Sequence, residues 1–145
     1  MKWSKPIDLA TLLSSGNATI IPDEKGCYRL LVKKGTFNKK FHGPSQVIYI
    51  GSASGKNSSL RKRIGLFICA SLGFGVKHSG GNTFFQMRVE SKLNLRNVFL
   101  QYFSTVNPIC AENKAFNLFE SEYQRLPLLC KKRPRNCCLR HSKTR

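Results

Sequence analysis

The chain has 145 residues, enough for one hydrophobic core and too few for two comfortable ones. Lys and Arg number 25 against 7 Asp and Glu, and the resulting net charge of +18 repels itself in a compact fold and favours a polyanionic partner, with nucleic acid foremost. An anionic membrane surface ranks below it, because no basic helix with a broad apolar face appears, and the scarcity of acid makes a site of several carboxylates hard to build.

In chain order, residues 1–25 read as a lead-in, with Ile7, Leu9, Leu12 and Leu13 forming a short helical turn and Ala18 to Pro22 an extended stretch. Gly26 to Lys33 is a strand whose alternation puts Tyr28, Leu30 and Val32 on one face. A loop over 34–45, punctuated by Gly35, Asn38, Gly43 and Pro44, leads to a second strand, Gln46 to Gly51, the antiparallel partner of the first. Ser58 or Ser59 caps a helix running to about Leu72, with Leu60, Ile64, Phe67 and Ile68 as its buried stripe.

A glycine-rich loop over 73–82 contains His78. Thr83 to Val89 and Asn97 to Thr105 are strand-like and rich in aromatics, the former a further strand or an extended edge. Pro108 precedes a helix from about Ala111 to Leu126, and from Lys131 onward seven cations occur with no acid. These readings predict an α/β fold with a small central antiparallel sheet flanked by helices. They divide the chain into a lead-in (1–25), a folded domain (26–130) and a basic tail (131–145).

No N-terminal signal peptide and no apolar run of ~18 residues is visible, which predicts an intracellular, cytoplasmic protein with no membrane contact. The six cysteines lack secreted-domain spacing and read as reduced thiols. Cys130, Cys137, Cys138 and His141 have no CxxC pairing of the kind that marks zinc, so free thiols in a basic tail are the simpler reading.

Several polar residues have the chemistry of phosphate sites. Arg61 and Arg63 flank opposite sides of the Leu60/Ile64/Phe67 stripe, and periodicity does not choose between them. Glu122 lies at least as near the stripe of its helix as Glu120, so that choice is open too, while Glu112 near the helix start offsets the helix dipole. His78 titrates near neutral pH and donates to a phosphate or leaving oxygen if it lines a cleft; otherwise it is an exposed loop histidine.

Gly26-Cys27-Tyr28 and Tyr49-Ile50-Gly51 on two strands, Leu60-Arg61-Lys62-Arg63 on the helix that follows, and Leu118-Phe119-Glu120-Ser121-Glu122-Tyr123 on a later one together resemble the GIY-YIG nuclease domain. The resemblance covers about Ile21 to Asn136. It implies a DNA endonuclease that hydrolyses phosphodiester bonds with one divalent cation, Mg²⁺ or Mn²⁺. It also implies roles: Tyr28 accepts a proton from the attacking water, directly or through a relay, and Tyr49 positions water and phosphate. Arg63 becomes the guanidinium that stabilises the pentavalent phosphate and Glu120 the metal ligand, with His78, in its His-Ser-Gly-Gly string, beside the cleft. Gly51, Lys56, Arg61 and Asn136 would contact the substrate.

Against the family pattern, Cys27 replaces an aliphatic residue, the loop between the tyrosine motifs is longer, and Ser52-Ala53-Ser54 stands where a lysine or arginine is common. Asn136 also lies further from Glu120 than usual. Targeting would come from the chain's own loops and tail, a dimer mate or a protein partner. The alternatives are a non-catalytic nucleic-acid-binding module of the same fold and, third, a basic RNA-associated protein whose aromatic strands stack bases.

Overall fold

The computed structural model describes residues 1–14, 17–36, 46–135 and 137. Four strands form one antiparallel sheet: β1 (Ile7–Asp8), β2 (Gly26–Val32), β3 (Val47–Ala53) and β4 (Val98–Ser104), in the spatial order β1-β4-β2-β3. Helices α1 (Leu9–Leu13), α2 (Leu60–Ser71), α3 (Ser79–Ser91) and α4 (Pro108–Tyr123) flank it, so the fold is the α/β class expected.

Alternation along β2 divides the core into two layers. Tyr28, Leu30 and Val32 point toward a cluster with Leu60, Ile64 and Phe67 of α2, Phe84 and Met87 of α3, and Leu9 and Leu12 of α1. Cys27 faces the other way, where it and Ile50 meet Ala115, Phe116 and Phe119 of α4. Each fully buried large apolar side chain contributes roughly 1.5–3 kcal/mol. Position β3 is the sheet edge, and Ser59 starts α2 directly after it by accepting from the Lys62 amide at 3.2 Å.

The structure departs from the sequence reading in several places. Thr83 to Val89 is not a strand but part of α3. Its β-branched and aromatic residues favour a strand locally, yet Phe84 and Met87, three apart, reach the core together only as a helix. Asn17–Ile20 forms a 3₁₀ turn in place of the extended stretch. The last helix begins earlier, with Pro108 at its first turn, and stops at Tyr123 because Gln124 adopts a left-handed conformation with φ 51°. Residues 7–13 lie on the sheet: β1 pairs with β4, and the Leu9 and Leu12 side chains are buried.

Reduced thiols are corrected too. Cys110 on α4 is disulfide-bonded to Cys137, their Cα atoms 4.9 Å apart, while Cys27, Cys69 and Cys130 are free. Arg133, Arg135 and Cys137 each attach to α4. Arg133 forms an ion pair with Glu120 and donates to Asn117 Oδ1 at 2.7 Å, and Asn113 Nδ2 donates to the Arg135 carbonyl at 2.6 Å. Among the described residues no helix is long and apolar enough to cross a membrane.

Candidate active site

The two tyrosine motifs meet because β2 and β3 pair in the register that sets Tyr28 opposite Gly51. The Tyr28 ring lies over that glycine, where a Cβ would stand 2.9 Å from Tyr28 Cζ and 2.8 Å from Tyr49 Cε1. Gly51 is therefore the floor on which both rings rest. Their centroids are 5.8 Å apart, and the Tyr49 ring lies 5.8 Å from that of Phe67 and 5.8 Å from the His78 imidazole.

His78 is not an exposed loop residue. It is buried, with 2% of its surface accessible, and caps α3 by accepting from the Gly81 amide at Nδ1, 3.0 Å. That bond leaves Nδ1 unprotonated, so the neutral ring carries its hydrogen on Nε2, which donates to Tyr28 Oη at 2.8 Å. Gly80 lets α3 come this close, since a Cβ there would overlap the Tyr49 ring. The His-Ser-Gly-Gly string thus joins a helix start to the tyrosine pair.

Burial sets the protonation of this cluster. It pushes the Tyr28 phenol well above its ordinary value, with further upward push from the neighbouring Tyr49 and a downward pull from Arg63. Tyr49 is pushed up to about 12, mainly by burial and next by Cys130, while its hydrogen bond with Tyr28 and the charge of Arg63 lower it. His78 is held at about 4 by burial and then by Arg63, so it is neutral at physiological pH. Tyr28 is wholly inaccessible and Tyr49 retains 9% exposure. Tyr28 therefore meets solvent only through its neighbours.

The arginines separate clearly. Arg61 donates from Nε to the Ile21 carbonyl at 2.9 Å and from a terminal nitrogen to the Thr19 carbonyl at 3.3 Å, tying the N-terminal segment to α2. Arg63, half-buried one residue past Lys62, makes no such bond among the described residues, and its charge is felt at Tyr28, Tyr49, His78 and Glu112.

The carboxylate that joins them is Glu112, not Glu120. Glu112 extends from α4 to the end of the edge strand and accepts from Ser52 Oγ at 2.7 Å. Burial raises its pKa, opposed by the Ser52 hydrogen bond, Arg63 and Arg135. Its negative charge in turn acts on Tyr28 and Tyr49. Glu120, two helical turns further on, is engaged by Arg133, and Glu122 is exposed. Sequence periodicity missed Glu112 because its position near the helix start has a simpler explanation; its partner Ser52 is 60 residues away.

Lys56 lies exposed in the turn after β3. Asn136, Cys138 and His141 fall outside the described residues. Among the described residues no three His, Cys, Asp or Glu side chains gather as a metal cluster. One carboxylate, with waters to complete the shell, is the donor set for a divalent cation: Glu112 is half-buried, Ser52 Oγ donates to one of its oxygens, and a cation beside it would offset the burial that disfavours its charged form. Comparison of the chain with protein-family models, curated proteins and solved structures found no match.

Proposed function

We propose that the protein is a metal-dependent endonuclease that hydrolyses phosphodiester bonds in DNA at the end of the β3 edge strand. The observation that carries this reading is the convergence of Tyr28, Tyr49 and His78 with the charges of Arg63 and Glu112, drawn from five separate elements. A net charge of +18 supplies the general attraction for the polyanion.

In this account Tyr49, the outer phenol, orients the attacking water. Tyr28 and His78 fix Tyr49 from behind, because the Nε2–H donated to Tyr28 leaves the Tyr28 hydroxyl hydrogen for its bond to Tyr49. Arg63 stabilises the charge that develops on the phosphate oxygens, with a planar guanidinium suited to two of them at once. Glu112, steadied by Ser52, would hold Mg²⁺ or Mn²⁺ with waters and substrate phosphates completing the shell. Such a cation, when bound, supplies Lewis-acid stabilisation of the phosphate and a lower pKa for a bound water.

A second reading is favoured by the complete burial of Tyr28 and near-complete burial of His78, which suits a core role: a module of the same fold that binds nucleic acid without cutting it. Incubating purified protein with supercoiled plasmid and Mg²⁺, with and without chelator, separates the two. The nuclease reading expects nicked or linear product that chelator suppresses; retention of intact plasmid on the protein supports the binding module.

A further inference from the structure

We infer that Arg135 is a second substrate-phosphate contact of this site, positioned by a strap that the Cys110–Cys137 disulfide ties to α4. The inference rests on the nuclease reading and adds a residue to it. Arg135 donates from a terminal nitrogen to Ser54 Oγ at 3.3 Å, just beyond the end of β3, and its side chain is otherwise exposed. Ser54 is two residues from Ser52, the partner of Glu112. Arg135 therefore brings a guanidinium to the stretch Ser52-Ala53-Ser54, which carries no cation of its own.

Three attachments fix the segment. Arg133 holds Glu120 and Asn117 two turns along α4, Asn113 grips the Arg135 carbonyl, and Cys137 is bonded to Cys110, two residues before Glu112. Asn113 and Cys110 bracket the Glu112 carboxylate on the same helix. The tether thus registers Arg135 against the catalytic carboxylate, whose charge it senses along with Arg63. Two guanidiniums whose charges both reach one carboxylate suit the gripping of successive phosphates, and exposed arginine at a fixed spot does this without a large ordering penalty.

The strap gives the test its specificity. A dithiol reductant donates two electrons and two protons to the cystine, yielding two thiols and the cyclic disulfide of the reductant, and so frees Cys137 without altering any charge near Arg135. Cleavage of a short DNA duplex in Mg²⁺ and binding of the same duplex in Ca²⁺ are measured for wild type, Arg135→Ala, Cys137→Ser and Lys132→Ala, each with and without the reductant. Lys132→Ala removes one exposed tail charge and so measures the general electrostatic loss.

The expected result is a KM for wild type that rises several-fold on reduction, with kcat changed far less. Arg135→Ala raises KM about tenfold beyond Lys132→Ala, the scale of one charge-assisted hydrogen bond, and is then insensitive to reductant. Cys137→Ser matches reduced wild type in both states. The proposal is overturned if Arg135→Ala behaves as Lys132→Ala does, or if reduction weakens Arg135→Ala as much as wild type. A protein that cuts nothing under any condition defeats the nuclease reading instead; the duplex-binding arm then still decides for or against Arg135.

Discussion

His78 is the residue that ties stability to pH in the mildly acidic range. Its ordinary value of 6.5 falls to about 4 through burial and the charge of Arg63, so between these values the unfolded chain binds the proton and the folded one does not. Its contribution to stability is present above pH 6.5 and is lost as pH falls toward 4, by as much as about 3 kcal/mol. Glu112, with its pKa raised, works in the opposite sense over part of that window, which is why the comparison needs a variant. His78→Asn keeps a capping oxygen for α3 and removes the titration. Denaturant melts across the window are expected to show a shallower acid decline for His78→Asn than for wild type; equal slopes would remove the buried neutral imidazole from the account.

At the scale of elements, the approach of α3 to the sheet decides whether the site forms. Gly80→Ala drives a methyl group into the Tyr49 ring, and the displaced ring or helix is expected to cost about 1–3 kcal/mol. Gly65→Ala, in the middle of α2 with nothing within 4 Å of the new Cβ, is expected to stabilise by roughly 0.5–1 kcal/mol. Urea midpoints measure both, and a neutral Gly80→Ala would mean that α3 does not press on Tyr49. The same contact explains what the amino-acid sequence could reveal. Strands β2 and β3, their pairing and the α2 stripe follow from local period, so they were legible. Helix α3 was not, since Thr83, Phe84, Phe85 and Val89 favour a strand and only packing of Gly80, Gly81 and Phe84 against α2 and Tyr49 reverses that preference. In the site, Tyr28, Tyr49 and Arg63 stand on elements of clear period. Glu112 and Arg135 depend on contacts with Ser52 and Ser54 across 60 and 81 residues, which no local pattern encodes.

For the whole molecule, charge and topology have separate effects. In the proposed reading the excess of cations would draw DNA to much of the surface with little regard for sequence, while the order β1-β4-β2-β3 leaves β3 at the edge, where α2, α3, α4 and the strap can all contribute side chains to one place. Chemistry is then separable from binding, and the division between Glu112 and Glu120 tests it. Both lie on α4, both are half-buried, and replacing either by Gln adds the same unit of positive charge. Glu112 meets Ser52 and the tyrosine cluster; Glu120 meets Arg133. The most direct measurement is the initial rate of plasmid cleavage in Mg²⁺ by wild type, Glu112→Gln and Glu120→Gln, with duplex binding recorded alongside. The account predicts that Glu112→Gln binds DNA as well as wild type and cuts it at least about a hundredfold more slowly, a loss typical of removing one charged catalytic group, while Glu120→Gln cuts at nearly the wild-type rate. Loss of cleavage in Glu120→Gln with full activity in Glu112→Gln would contradict it.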